Sequence, residues 1–291
     1  MVMLRRIGIF LLTNLLVMAV LSVVLSLVNI PRDQLYGLLL ICALFGFGGS
    51  FISLLLSKFM VKMAYRVQLV NRSNASGKAL YLYDTIEKLA AYERIKMPEV
   101  GIYPSQDANA FATGASRNRS LIAFSSGLLN NLNEEEIAAV AGHELTHIIQ
   151  GDMVTMTLLM GIVNTFVMFL ARILAAALDL ALRDNRGRGG LGIFGYMMVV
   201  MVMQNVLFLL ANIPLCAYSR HREYRADAGS ARLTQPSYMI TALEKIGRAH
   251  FPAQKSDSYA LAKINNKRRM SLFATHPPIE ARIARLQKMM V

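Results

Sequence analysis

The sequence contains few charged residues for its length. Of its 291 residues only 17% are Asp, Glu, Lys or Arg, whereas 55% are hydrophobic, and the mean hydropathy is +0.41. A soluble domain of this size does not need so much apolar surface to fill its core, so the composition indicates a membrane protein. A net charge of +13 is compatible with binding to nucleic acid, with binding to an anionic membrane surface, or with basic residues concentrated in some loops and not in others. The positions of the basic residues decide between these explanations.

Cysteine is also scarce. The two cysteines, Cys42 and Cys216, lie in apolar stretches without a CxxC partner, which argues against a disulfide framework and against a cysteine zinc cluster. We expect both to act as small hydrophobic side chains. Only five histidines are present, so each can be considered separately as a candidate for chemistry.

Charge is absent altogether from four long apolar stretches. A transmembrane helix needs about 20 apolar residues to cross a hydrocarbon core of roughly 30 Å, and each stretch is long enough. Buried helices of a soluble core are the disfavoured alternative, because they rarely run this far without a charge on one face. Arg172, directly after the third stretch, is either a functional polar contact or a side chain paired with another helix or with water. We predict four transmembrane helices, at residues 7–31, 34–57, 153–171 and 189–219.

The basic residues predict the orientation of these helices. Residues 58–152 and 220–291 hold ten and fourteen lysines and arginines, whereas the short loops within the helix pairs hold one and three. The positive-inside rule therefore places both long segments and the N-terminus in the cytoplasm, and it explains most of the basic charge without nucleic acid. Arg5 and Arg6 begin an uncleaved signal anchor, because the apolar stretch after them is too long for a signal peptide and lacks a cleavage site.

These segments define the predicted domain organisation. Residues 1–57 form a first transmembrane hairpin and residues 153–219 a second, while residues 58–152 and 220–291 together form a cytoplasmic domain. Strand-like runs in "EVGIYPSQDANAFATG" and "SLIAFSSGLL" predict a small sheet in that domain. The expected fold is therefore mainly α, with four transmembrane helices and a cytoplasmic α+β domain.

The stretch "NNLNEEEIAAVAGHELTHIIQ" predicts a strong helix that carries candidate metal ligands. Asn133 is a natural N-cap, and Glu136 follows three residues later as in a capping box. His143 and His147 are four residues apart, so they project from the same helix face and can bind one zinc ion. Glu144 lies about 100° around the helix from His143, where it can accept a proton from a water molecule activated by the metal.

A third candidate ligand lies in "SRHREYRAD", residues 219–227. A catalytic zinc site needs one further protein ligand and an open position, and Glu223 can supply that ligand. Asp227 follows on the same helix face, where it can accept the free N–H of a ligand histidine. An ordinary solvated helix face that includes Arg222 and Arg225 is the alternative. Two predicted spans separate His147 from this segment, so both emerge on the same membrane side, which favours the metal site.

Several motifs along nearly the whole chain resemble the HtpX family of membrane-embedded zinc metalloproteases, which is related more distantly to the CAAX prenyl protease. In chain order they are "FLLTNLLVM", "LFGFGGSFISLLLSK", "NAFATG", "HELTHIIQGDMVTMTL", "SRHREYRADAGSA" and "ATHPPIEARIARL". The resemblance implies a zincin-like domain of the gluzincin type, with one zinc ion held by His143, His147 and Glu223. It also implies that Glu144 is the general base and that Asp227 supports a ligand.

The resemblance implies roles for three further residues. Asn109 corresponds to an asparagine on the strand that lines the substrate cleft of the prenyl protease, which implies substrate binding. His276 and Arg282 correspond to residues near its zinc, where a donor would stabilise the oxyanion that develops on the peptide carbonyl, which implies catalytic roles. In the corresponding motif of the prenyl protease a glutamate directly precedes the arginine, whereas here Glu280 lies one place earlier in the chain. The alternatives are a loop histidine before a Pro-Pro helix start and, for Arg282, a surface position on the C-terminal helix.

Together these features predict an endopeptidase of the bacterial inner membrane, with both termini and the protease domain in the cytoplasm. Misfolded or damaged membrane proteins are the substrates that the resemblance implies. The expected cofactor is one zinc ion per chain, and the expected partners are polypeptide substrates and the lipid bilayer, not nucleic acid. His221 and His250 are given no role, and the sequence contains no indication of an oligomeric state. An intramembrane zinc protease and a non-catalytic membrane adaptor with structural zinc stay open as alternatives.

Overall fold

The computed structural model describes residues 35–184, 189–250 and 272–290. Within these ranges the chain is mostly helical, with one small sheet. The predicted first transmembrane stretch, residues 7–31, and the N-terminal Arg5 and Arg6 lie outside the described residues. In chain order the elements are α1 (Leu35–Tyr65), β1 (Gln68–Val70), α2 (Gly77–Tyr92), β2 (Glu99–Tyr103), β3 (Ala110–Ser116), β4 (Arg119–Ser125), α3 (Ser126–Asn131), α4 (Glu134–Gln150), α5 (Asp152–Ala181), α6 (Gly192–Leu233), α7 (Pro236–His250) and α8 (Ile279–Gln287).

Three helices in the described part of the chain are long and apolar enough to cross a membrane, namely α1, α5 and α6. They include most of the second, third and fourth predicted stretches, whereas the first predicted span has no described counterpart. Helix α5 continues well beyond the end predicted for its span, because Arg172 is accommodated within it: Nη1 donates to the carbonyl of Met168 at 2.8 Å. Helix α5 therefore ends at Ala181, whereas the predicted span ends at residue 171.

The described chain divides into two compact units. One comprises residues 35–51 together with Leu158–Leu215. Within it, glycines allow α1 and α5 to approach closely: a Cβ at Gly46 would lie 2.5 Å from Oγ1 of Thr165. Close contacts through small residues are typical of helix pairs in membranes, where van der Waals packing replaces the hydrophobic driving force.

The other unit contains Ile52–Thr157 and the residues from Cys216 onward. Its sheet has the order β1-β2-β4-β3, in which β2 and β4 are parallel and the two outer pairs are antiparallel. The sequence predicts β2, β3 and β4 but misses β1, because a strand of three residues with mostly exposed side chains has too short a hydrophobic pattern to be recognised.

Helix α4 lies in the core of this second unit and begins as predicted. The Asn133 side chain accepts the N–H of Glu136, and the Glu136 carboxylate accepts the N–H of Asn133, so the predicted capping box is confirmed. The apolar residues of α4 pack with those of α2 and β4 in one cluster, and burial of each large aliphatic side chain contributes roughly 1.5–3 kcal/mol. Central members of this cluster are Leu82, Ile86, Ile122, Phe124, Leu145 and Ile148.

Candidate metal centre

Helix α4 brings two histidines to one buried position. His143 and His147 lie on the same helix face with only 5% and 7% of their surface exposed, because the helix runs through the core of its unit. Their Nε2 atoms are 3.2 Å apart, and the rings meet edge to face. Two nitrogen lone pairs that converge in this way form the start of a metal site.

Glu223 of helix α6 completes a set of three donors. Its Oε2 lies 3.5 Å from Nε2 of His143, and its Oε1 lies 3.4 Å from Nε2 of His147. Ligand atoms at about 2.1 Å from a tetrahedral zinc ion are separated from one another by roughly 3.4 Å. The measured separations, which involve a different oxygen of Glu223 for each histidine, are close to that value, and single ligand atoms of the three residues all lie within 4.8 Å of one another. Two imidazoles and one carboxylate also form a donor set found in catalytic zinc sites, so these residues fit zinc.

Close packing between α4 and α6 positions this third donor. The Ser230 hydroxyl donates to the carbonyl of Ala139 at 2.6 Å, and both residues are buried. A Cβ at Gly229 would overlap the side chain of Thr146, so only glycine allows the two helices to come this close. Small residues at the helix contact therefore determine how near Glu223 approaches the two histidines.

A carboxylate lies behind each histidine. Oδ1 of Asp227 lies 3.0 Å from Nδ1 of His143, an ion-pair distance, but this nitrogen forms no hydrogen bond within the described residues, so the supporting role of Asp227 stays a prediction. Oδ2 of Asp152 lies 2.6 Å from Nδ1 of His147. The contact of Asp152 with His147 is not predicted from the sequence. The available signal was Gly151, a typical helix C-cap directly before Asp152, which indicates a sharp reversal after the histidine helix.

Arg282 lies against the supporting carboxylate. Its Nε and Nη2 donate to the two carboxylate oxygens of Asp227 at 2.8 and 2.6 Å, and its Nη1 lies 3.8 Å from Oε2 of Glu223. Only 8% of Arg282 is exposed, so the alternative of a surface residue is wrong. Its direct contacts are with these carboxylates, and a catalytic role for Arg282 stays a prediction.

His276 is the one candidate residue that is both near the ligands and open to solvent. Its Nδ1 lies 2.9 Å from Oε2 of Glu223, while 62% of the side chain is exposed. The segment before it is held by Arg220 of α6, whose Nη1 donates to the carbonyls of Leu272 and Ala274 at 3.3 and 2.8 Å. The structure therefore places an accessible imidazole beside the third donor, where it could meet a substrate.

The charges of this cluster strongly favour cation binding. Burial alone would lower the pKa of His143, but the carboxylates of Asp227 and Glu223 outweigh that effect and raise the pKa to about 9. The same carboxylates would favour a bound metal ion, which would have to displace any protons on the imidazoles.

Glu144 is buried, whereas Asn109 is exposed. Glu144 is buried on α4 directly after the first histidine, with 8% of its surface exposed. Asn109 is exposed directly before β3, the edge strand that contacts α4, and its carbonyl accepts the N–H of Ser125 at 2.9 Å. General base and substrate-binding roles for these two residues stay predictions.

His221 is exposed on α6, and the side chain of His250 lies outside the described residues.

The fold and the site define a class of protein: a membrane metalloprotease in which an HExxH helix and a glutamate from a second helix bring together three candidate metal ligands. The chain belongs to peptidase family M48, which it matches over residues 76–290. The predicted family and the predicted enzyme class are confirmed.

Named relatives match over nearly the full length. The chain is 47% identical over 290 residues to Protease HtpX of Aeromonas hydrophila, covering 97% of this chain and 99% of the relative. It is 45% identical over 285 residues to Protease HtpX of Stenotrophomonas maltophilia, with 98% of each chain covered.

A solved structure shares the fold at low sequence identity. The crystal structure of S. mikatae Ste24p matches with a TM-score of 0.61 and 18% identity, covering 98% of this chain and 63% of that chain. The chain thus spans 63% of the length of that solved relative.

Proposed function

We propose that this protein is a zinc-dependent endopeptidase that hydrolyses peptide bonds of membrane proteins, in particular misfolded or damaged ones. The observation that carries the proposal is the convergence of three buried side chains: two imidazole nitrogens 3.2 Å apart, each within 3.5 Å of one oxygen of the Glu223 carboxylate. This set has the size and chemistry of a catalytic zinc site with one position left open.

Each residue of the site has a defined part in the proposed reaction. His143, His147 and Glu223 would hold the zinc ion, which when bound supplies Lewis-acid polarisation of water and of the peptide carbonyl. Glu144 accepts a proton from the attacking water and delivers it to the leaving amine. His276, exposed beside Glu223, donates a hydrogen bond to the oxygen that gains negative charge.

Chain connectivity supports membrane-bound substrates. Glu223 lies on α6, which is itself a candidate span, and Asp152, the partner of His147, is the first residue of another candidate span. The site is therefore built from segments that adjoin membrane helices along the chain. We further propose the inner membrane as the location, with the termini and the protease domain in the cytoplasm, on the basis of the basic residues of the two long segments.

The proposal is tested with purified protein in detergent and a model membrane protein as substrate. Glu144→Gln is isosteric and leaves the donors intact, so we expect it to retain zinc and to lose cleavage by at least about 100-fold, the size of a general-base contribution. Glu134→Gln, an exposed change in the first turn of the same helix, serves as the control and is expected to cleave normally.

Two results would contradict the proposal. Cleavage by the zinc-loaded Glu144→Gln protein would show that Glu144 is not the base. A wild-type protein that binds zinc but cleaves no membrane or soluble polypeptide, with or without chelator, would favour a non-catalytic adaptor instead.

A further inference from the structure

Asp152 is a buried carboxylate that takes no direct part in the proposed hydrolysis, yet it contacts a metal ligand. Its Oδ2 lies 2.6 Å from Nδ1 of His147, and only 1% of the residue is exposed. That distance is typical of a charge-assisted hydrogen bond. Because Nε2 is the atom of His147 that converges with the other donors, Nδ1 is the atom left for a supporting partner.

A one-residue turn makes this contact possible. Gly151 ends α4 in the left-handed conformation, with φ 68° and ψ 30°, and its N–H donates to the carbonyls of His147 and Ile148. Helix α5 then begins at Asp152. In an uninterrupted helix a residue five positions further on would lie about 140° around the axis and one turn away. The left-handed turn at Gly151 instead places the Asp152 carboxylate next to the His147 ring.

The ends of the two helices stabilise the charges of this pair. His147 lies in the last turn of α4, where the helix dipole is negative and favours a positive imidazole. Asp152 is the first residue of α5, where the dipole is positive and favours a carboxylate. The junction between the helices therefore favours an N–H on the Nδ1 side of the ring and an acceptor opposite it.

We infer that Asp152 is a positioning residue of the metal centre. By accepting the Nδ1 proton of His147, it selects the tautomer and the ring orientation in which Nε2 faces His143 and Glu223. This inference rests on the proposed zinc-dependent function. It also ties a metal ligand to the first residue of a candidate membrane span, since α5 begins at Asp152.

The test measures zinc binding without any substrate. Full-length protein in detergent is titrated with zinc against a competing chelator, and the visible spectrum of the Co²⁺ form reports coordination geometry. We expect Asp152→Asn to weaken zinc binding by about 10- to 100-fold and to change the Co²⁺ spectrum, as is usual when a histidine ligand loses its carboxylate partner. Asp152→Glu retains the charge, so we expect a smaller loss.

Glu136→Gln is the matched control. Glu136 is a buried carboxylate on the same helix, 2% exposed, but its partners are the N-cap Asn133 and Lys245, not a metal ligand. We expect this change to lower the melting temperature of the metal-free protein while zinc affinity stays within about twofold of wild type. Melting of metal-free Asp152→Asn, measured in parallel, separates loss of folding from loss of positioning.

The outcomes distinguish this inference from the proposed function. Wild-type protein that binds zinc, with unchanged affinity and Co²⁺ spectrum in Asp152→Asn, would overturn the role of Asp152 alone. An equal loss of zinc affinity in Glu136→Gln would overturn it as well, since a general loss of stability would then explain both. Wild-type protein that binds no zinc would overturn the proposed function and, with it, this inference.

Discussion

At the residue scale, the candidate metal centre combines three possible metal ligands with a carboxylate close to each histidine. Oδ1 of Asp227 lies 3.0 Å from His143, and Oδ2 of Asp152 lies 2.6 Å from His147. This arrangement places negative charge next to both imidazoles, which favours protons on the rings before a metal binds and would favour a cation between them afterwards.

The protons on the histidines predict a pH dependence of zinc binding. Burial lowers the pKa of His143, but contacts with Asp227 and Glu223 outweigh it and raise the pKa to about 9, so below that pH a bound zinc ion must displace a proton. We expect the apparent zinc affinity to rise by about tenfold per pH unit between pH 6.5 and 8.5, and to level off above pH 9.

Chelator competition at a series of pH values, corrected for protonation of the chelator, measures this dependence. Zinc affinity that does not change over the range would show that His143 is already neutral in the metal-free protein. The slope can exceed one proton, since the pKa of His147 is also raised: burial lowers it, but contacts with Asp152 and Glu223 outweigh burial.

Helical spacing predicts part of the centre from sequence, and it fails where the backbone leaves the helix. The i, i+4 pairs His143–His147 and Glu223–Asp227 were predicted because both lie within continuous helices. Asp152 was missed because its contact depends on the left-handed Gly151, which no periodic pattern encodes. The positions of His276 and Arg282 came only from family resemblance, since they lie more than 50 residues from their partners.

At the element scale, the contact between α4 and α6 controls the geometry of the donors. Gly229 lies where any Cβ would overlap Thr146, one residue before the ligand His147. Gly229→Ala should force the helices apart. We expect it to destabilise the metal-free protein by about 1–3 kcal/mol, as is typical of overpacked cores, and to weaken zinc binding as well.

Gly49→Ala is the control for this change, because Gly49 is also helical but has no atom within 4 Å of the added Cβ. Denaturant unfolding and zinc titration of both variants make the comparison. Equal zinc affinity in Gly229→Ala and the wild type would mean that the helix contact does not set the position of Glu223.

Some helices and strands can be predicted from the sequence more fully than others. Helix α4 was predicted down to its N-cap, because the capping box is a local pattern of side-chain and backbone hydrogen bonds. The charge-free stretch predicts a shorter span than α5, because it ends before Arg172, whereas the Arg172 guanidinium donates to a carbonyl of its own helix. Strand β1 has only three residues and was not recognised.

At the scale of the whole molecule, the metal centre is assembled from two segments separated in sequence by two candidate membrane helices. Residues of α4 provide two donors, and α6 provides the third only after α5 and the candidate span within α6 itself. The HELTH motif and its third candidate ligand are thus separated along the chain by segments long and apolar enough to cross a membrane.

The central claim is that His143, His147 and Glu223 hold a single zinc ion with an open position. X-ray absorption at the zinc edge of the purified protein tests it most directly. The account predicts one zinc per chain, with two imidazoles at about 2.0–2.1 Å, oxygen ligands at about 2.0–2.2 Å and no sulfur, and loss of the imidazole signal in His147→Ala. A sulfur shell at about 2.3 Å, or a zinc site unchanged by that substitution, would contradict it.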